Sequence, residues 1–467
     1  MEKLKKSILY TYGVGDMFFV LMVSMELYYF TAFLTDYAQF SMKTTGIILN
    51  ITGVLDIACA LLAGFIIEKI TLKFGGKYRS WFLVGPLPIA LLFILQYTKI
   101  GSEFTAATIV IIGFLSSHLL WNILIACGGA MVGRMTSSPD EHTILSTRRS
   151  QGMTAAGLIF SATGLPMIVY FSRHTNQVTG MSLTVAVYGV LMILGFLYIY
   201  KITAGMDPYD DEEIGRKSGK AEQISQKQTG PSILEIVRLV LSNRPLLGLV
   251  IAEIFRNSCI LLVAGQAFYY CSYVINDLEF MTTFLLATAV AGLLGALSST
   301  WIGLRFGKRR TYWMTLIIAS IVYASAHFWG DTGWRFTILF SIGGAFMIIA
   351  SCMSTALFSD TVTYGEWKTG KNIRGFTMSL WNLPIKLGVL LRHQVITLGL
   401  GAVGFVANTD PTPEVIKGIA SLMIFSTSAV CFLAAVIFFF GYRIREDDVV
   451  RMQEEIAARA EYATVEK

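Results

Sequence analysis

The residues able to do chemistry in this sequence are ionisable side chains set inside long apolar runs. They are Asp16, Glu26, Asp56, His118, Glu253, Arg256, Lys386, Arg392 and His393, with Arg149 at the edge of a further run. An ionised group is costly in an apolar surrounding, so each needs a partner or a purpose. A buried acid there can hold a cation or a proton; a buried base can hold an anionic group or neutralise an acid. Asp56 stands alone in the middle of LNITGVLDIACALLAG. It reads as a coupling carboxylate, or as the partner of a base such as Lys386. Glu253 and Arg256 are three residues apart and share a helix face, which predicts an internal ion pair. Asp16 follows Tyr12-Gly13-Val14-Gly15, where glycines permit close helix approach or an unwound turn. It lines a cavity or caps a helix break, and Glu26 lines a cavity or is paired. Lys386 lies in WNLPIKLG beside Pro384, which predicts a kink and a binding position. His118 reads as a hydrogen-bonded packing residue. Arg392 and His393 are expected near the outer end of their run, snorkelling to the interface.

The elements that must hold these groups are membrane helices. The chain has 467 residues, 54% hydrophobic and 15% charged. A soluble protein carries about 25% charged residues. This composition excludes a soluble enzyme, a disordered chain, a nucleic-acid binder and a disulfide scaffold. Twelve windows are long and apolar enough to span a bilayer: 10–34, 45–68, 81–98, 105–133, 150–171, 179–200, 246–275, 280–303, 312–329, 336–358, 376–401 and 416–441. The first carries Asp16 and Glu26 and continues to Leu34, too long for a signal peptide, so it reads as a retained span. With both termini in the cytoplasm, 29 of the 37 Lys and Arg residues lie on the cytoplasmic side, 5 outside and 3 within spans. That asymmetry follows the positive-inside rule. The expected division is a six-helix bundle over 1–200, a cytoplasmic loop over 201–244, a second bundle over 245–441 and a cytoplasmic tail over 442–467.

The halves echo each other. Tyr28-Tyr29-Phe30 to Asp36 corresponds to Tyr269-Tyr270-Cys271 to Asp277, and Leu72-Lys73-Phe74-Gly75 to Leu304-Arg305-Phe306-Gly307. Two related six-helix bundles around a midplane site predict an all-α integral membrane protein of the major facilitator kind. Charged loops at the cytoplasmic helix ends form a second constellation. Arg79 follows Gly75 and Gly76; Asp360 and Glu366 lead through Arg374 into span eleven; Asp140 and Glu141 lead into span five. These read as a gate that locks one face, with ordinary loop solvation as the alternative. The six cysteines lie in apolar stretches without metal spacing, so each reads as a small buried hydrophobe.

YGVGD (12–16), LYYFTAFLTD (27–36), KFGGKYRSWFLVG (73–85), SPDEHTILSTRR (138–149), YYCSYVIND (269–277) and DTVTYGEWKTGKNIRG (360–375) run through the chain in order. Together they resemble the glycoside–pentoside–hexuronide:cation symporters, the melibiose permease-like family of the major facilitator superfamily. The resemblance implies a twelve-helix permease coupling sugar movement to a cation. It implies that Asp56 is the first of two cation-site carboxylates, the second position being Ala60 here, with Asn122 and Asn382 as nearby polar groups. It implies sugar-site bases at Arg149 and Lys386. The family's sugar-site acids fall at about Val20 and Ile125, and its stacking tryptophans at about Gly129 and Ser351. Two bases kept while acids are lost would leave unpaired buried charge, which argues for an anionic substrate such as a hexuronide.

The reading is a secondary active transporter of a sugar or glycoside, working by alternating access in the plasma membrane, with no cofactor beyond a coupling H+ or Na+. Its cation site would use Asp56, Asn122 and Asn382; its substrate site Arg149, Lys386, Asp16 and Glu26; its gate Arg79, Asp360, Glu366 and Arg374. Its partners are a small sugar, the cation and the bilayer, and no nucleic acid. A lysolipid or other amphiphile permease, or a transport-dead solute sensor, are the rivals. No nucleotide loop, metal cluster or nucleophile–base motif supports an enzyme.

Overall fold

A computed structural model describes residues 4–70, 72, 75–136, 138–207, 242–370 and 383–465. These are helical apart from short turns, with no strand among them. Eleven of the described helical stretches are long and apolar enough to cross a membrane. Asn382 and Arg374 lie outside the described residues, as does most of the central loop.

The chain divides into two compact units, Met1–Gln228 with Ala407–Thr409, and Thr229–Val406 with Asp410–Lys467. The first contains α1 (Lys6–Thr11), α2 (Val14–Ala32), α3 (Met42–Lys69), α4 (Arg79–Val84), α5 (Pro86–Leu95), α6 (Glu103–Met135), α7 (Pro139–His174) and α8 (Gln177–Ile202). Within it α2 packs on α7 and α8, α3 on α6, and α5 on α6 and α8. The second contains α9 (Arg244–Tyr269), α10 (Phe280–Phe306), α11 (Lys308–Trp329), α12 (Gly333–Thr369), α13 (Leu383–Ala402), α14 (Pro413–Gly441) and α15 (Glu446–Val465). Here α9 packs on α13 and α14, α12 on α10 and α11, and α15 on α12. Large apolar side chains are exposed on the outside of both units, including Phe104, Leu297, Leu304 and Phe328. A surface so apolar is at home in lipid rather than water.

Several boundaries differ from the hydropathy windows. The third window is divided at Gly85 into α4 and α5, because Pro86 has no N–H to give to the preceding turn. The first span is broken at Tyr12-Gly13, separating α1 from α2. A Cβ on Gly13 would overlap the Arg148 carbonyl, and one on Gly152 would overlap the Gly13 carbonyl. The glycines thus let α2 and α7 touch backbone to backbone. The charged stretches around Asp140 and Asp360 are helix rather than loop: Pro139 opens α7 at its first turn, and α12 runs on to Thr369. Hydropathy cannot see these turns because their polar residues lie past the apolar segment.

The repeat also differs in register. Each unit's first long helix ends in a single π turn, Phe33–Tyr37 in one and Tyr270–Val274 in the other. Each is followed by a residue at positive φ, Gln39 and Asn276. This pairing is one helical turn out of step with the Tyr-Tyr-to-Asp echo. Asp36 therefore sits inside its π turn, whereas Asp277 lies beyond its own and accepts the Phe280 N–H.

Candidate functional site: charged pairs inside the helical units

In the first unit Arg149 forks onto Asp16. Arg149 Nε donates to Asp16 Oδ2 at 2.8 Å and Nη2 to Oδ1 at 2.7 Å. The break at Gly13 places Asp16 in the first turn of α2, facing α7. It sits beside the break, but its carboxylate takes Arg149 rather than capping the helix end. The guanidinium lies over two residues without side chains: a Cβ on Gly128 would meet Nη2, and one on Gly129 would meet Nη1. The space where the family resemblance expects a stacking tryptophan is therefore beside Arg149. The Tyr12 hydroxyl donates to the Gly128 carbonyl at 3.0 Å, fixing that stretch of α6. Asp16 and Arg149 retain 11% and 14% side-chain exposure, so the pair is reachable. This corrects the expectation of an unpaired base at Arg149: its charge is already met, and it does not by itself demand an anionic ligand.

Glu26 is likewise paired. His118 Nε2 lies 3.3 Å from Glu26 Oε2, and His118 Nδ1 lies 2.9 Å from the Phe114 carbonyl. The imidazole stacks on the Phe114 ring at 3.7 Å and tilts against Trp121 at 4.3 Å. Asp56 is buried in α3. The Ser41 N–H donates to Glu103 where α3 and α6 begin, and Cys59 Sγ lies 3.7 Å from the Leu115 carbonyl farther along. The helices therefore run parallel. Asp56 lies one turn before that second contact, whereas Asn122 lies two turns beyond it and donates to its own His118 carbonyl. The Asn122 side-chain amide is thus spent on its own helix rather than given to Asp56.

In the second unit Glu253 and Arg256 form the expected pair, Nε to Oε1 at 2.9 Å and Nη2 to Oε2 at 2.7 Å. Tyr312, absent from the sequence reading, adds a hydroxyl to Glu253 Oε1 at 2.6 Å. Arg392 and His393 do not snorkel. Both are buried, with Arg392 Nη2 2.8 Å from His393 Nε2. Gly265 on α9 lies against the same helix, where a Cβ would overlap Ile396, one turn on from Arg392. Lys386 is half-buried two residues beyond Pro384, in the first turn of the described α13.

Of the gate candidates, Arg79 and Asp360 have partners within their own units. Arg79 is buried, stacks 3.6 Å from the Tyr200 ring centroid and donates to the Tyr200 and Gly75 carbonyls. Asp207, which sequence reasoning missed, accepts the N–H groups of Tyr78 and Arg79 at 2.6 and 2.8 Å, capping α4. Asp360 takes Lys308 Nζ at 2.7 Å and the Tyr442 hydroxyl at 3.1 Å. Glu446 accepts the Lys308 N–H at 2.7 Å. Burial and the neighbouring Asp360 carboxylate push the Tyr442 phenol above its usual range. Glu366 is half-buried in the last turn of α12. Of the cysteines, Cys352 is exposed rather than buried, and all six are free thiols.

Residues 11–446 match the family model described as MFS/sugar transport protein. The chain belongs to that family. It is a multi-pass membrane transporter and not an enzyme. It is similar to a putative sulfoquinovose importer of Escherichia coli K12, 25% identical over 98% of this chain and 95% of that one. It is also similar to the glucuronide carrier protein homolog of the same organism, 27% identical over 92% and 91%. A crystal structure of the nucleoside transporter NupG superposes with a TM-score of 0.61, covering 94% of this chain and 100% of that one at 11% identity. This last likeness shows the transporter fold alone.

Proposed function

We propose that this transporter carries a sugar or glycoside across the plasma membrane coupled to a cation, with both termini in the cytoplasm. The observation that carries the reading is the reachable Asp16–Arg149 pair inside a bundle of a sugar-transport family member. A carboxylate beside a guanidinium offers acceptors and donors in one plane, the pattern that adjacent sugar hydroxyls complement. Nη1 of Arg149 points away from Asp16 toward Gly129, so a substrate oxygen has a donor without the pair breaking. The Lys and Arg asymmetry supports the orientation. A buried acid in the same unit, Asp56, supports coupling to a cation.

An acidic sugar is the favoured substrate, because the relatives above are named for a glucuronide and for sulfoquinovose, each carrying an anionic group. Uptake of a labelled aryl glucuronide and of a neutral aryl pentoside into proteoliposomes tests this. Each is measured with an inward proton gradient, an inward sodium gradient and neither. Accumulation above equilibrium of the glucuronide supports the reading. Accumulation of neither compound under either gradient contradicts it.

A further inference from the structure

Glu26 and His118 belong to helices 92 residues apart in sequence, and neither was expected to need the other. The hydrogen-bond pattern around the ring fixes where its protons are. A carbonyl oxygen cannot donate, so the 2.9 Å approach of Nδ1 to the Phe114 carbonyl places a hydrogen on Nδ1. Ser117 does not change this. Its hydroxyl donates to the same carbonyl at 2.8 Å and receives Gln96 Nε2. With Nδ1 protonated, a neutral ring leaves Nε2 bare, 3.3 Å from Glu26 Oε2 though not in line with it. That oxygen is enclosed and accepts no aligned hydrogen bond among the described residues. Two acceptors held this close inside a helical bundle repel unless the pair holds one proton.

We propose that Glu26 and His118 together form a binding site for one proton, and that this proton is the cation coupled to the sugar. The coupling part rests on the function proposed above; the proton-binding part does not. The bound proton has two placements. In one, Glu26 is a carboxylic acid beside a neutral Nδ1–H ring. In the other, Glu26 is ionised beside an imidazolium, which the flanking Phe114 and Trp121 ring faces favour. Both hold the same single proton, taken from solvent on binding and returned on release. Glu26 keeps 12% side-chain exposure against 2% for His118, so Glu26 is the more accessible member of the pair.

The surrounding elements leave this site distinct. From the middle of α3 come Asp56 and Cys59; from α7 comes Arg149, already bound to Asp16; from α8 come Tyr188 and, toward its far end, Tyr198, Tyr200 and Lys201, while the other titratable groups of α3 and α7 lie toward the ends of those helices. No titratable group comes from α5. Asp36, ten residues farther along the same span, is held by the Thr35 hydroxyl at 2.6 Å.

Nitrogen NMR of histidine-labelled protein in lipid vesicles tests the site without any substrate, with His118 assigned by subtraction of His118→Asn. The expected spectrum shows Nδ1 protonated, together with either a protonated Nε2 or a protonated Glu26 carboxyl. Glu26→Gln is expected to leave a neutral Nδ1–H ring. A neutral ring protonated on Nε2 beside an ionised Glu26 would overturn the proposal. Coupling is read as the ratio of aryl glucuronide uptake with and without an inward proton gradient, in wild type, Glu26→Gln and His118→Gln. A ratio well above one in wild type that falls to one in both variants is expected. Variants that keep the wild-type ratio overturn the coupling. A wild type that never takes up the probe defeats the substrate reading, while the NMR result still decides the proton site.

Discussion

The two units build their interior charges differently. In the first, each pair joins separate helices: Asp16 to Arg149 across 133 residues, and Glu26 to His118 across 92. These side chains, His118 excepted, remain partly exposed. In the second, Glu253 and Arg256 lie one turn apart on α9, with 3% and 4% exposure and a tyrosine sealing the carboxylate. A buried pair within one helix moves with that helix and can do little but satisfy itself. A reachable pair between helices changes when either helix shifts or a ligand enters. The first unit therefore holds charges suited to binding, and the second holds charges suited to the fold.

The helix ends teach the opposite lesson, because there the units agree. In each, a glycine at positive φ turns the chain toward the next helix, and a carboxylate from just beyond the unit's last membrane-crossing helix accepts backbone N–H at that helix's start. These are Gly76 with Asp207 in one unit, and Gly307 with Glu446 in the other. The scaffold was repeated and the interior diverged.

The largest effect should come from the sealed pair. Glu253→Ala strands the Arg256 charge and is expected to cost about 3–5 kcal/mol, seen as poor yield and early thermal unfolding in detergent. The double Glu253→Leu/Arg256→Leu variant should recover much of that stability. Next, Arg149→Lys keeps the charge of the first unit's pair but loses its fork. Uptake of the aryl glucuronide is expected to fall at least about tenfold, roughly 1.4 kcal/mol, while the unfolding temperature barely moves. An equal fall in stability would erase the contrast between the units. Gly307→Ala forces a side chain into φ +79 against Glu446, and thermal unfolding should register a loss of about 1–2 kcal/mol. Arg79→Lys removes the stacking on Tyr200, at a cost of about 1 kcal/mol by the same assay. The smallest effect belongs to Asp331. The Arg335 guanidinium 2.9 Å away holds this exposed carboxyl below its usual range. A lowered value in the folded chain means that any stabilisation is present above the ordinary carboxylate range and lost as pH falls through the folded value. Asp331→Asn should lower the unfolding temperature slightly at neutral pH and leave it unchanged in acid, so that its pH profile is flatter than that of the wild type.

The spans, the repeat and the family motifs were legible because they are local or periodic. Twenty apolar residues announce a membrane helix whatever they touch. Three-residue spacing announced Glu253–Arg256. The partners of Asp16, Glu26, Arg79 and Asp360 were not legible, because pairing between helices leaves no spacing in the chain. Asp207, Glu446 and Tyr312 went unnoticed for the same reason. The unpaired-base argument for Arg149 failed on this point: its acid is not at the family's expected positions, Val20 or Ile125, but at Asp16, brought in by the glycine break at Tyr12-Gly13. Arg392 looked like a snorkelling residue because the packing that buries it comes from another helix, α9, and leaves no spacing in the chain.

The most direct test sets transport against stability for Asp16→Asn. Gradient-driven uptake of labelled aryl glucuronide and thermal unfolding are measured on the same proteoliposome preparation, beside wild type. Accumulation in wild type, lost in Asp16→Asn with the unfolding temperature nearly unchanged, is the predicted result. Wild-type accumulation that persists in Asp16→Asn would contradict the assignment of the Asp16–Arg149 pair to the sugar.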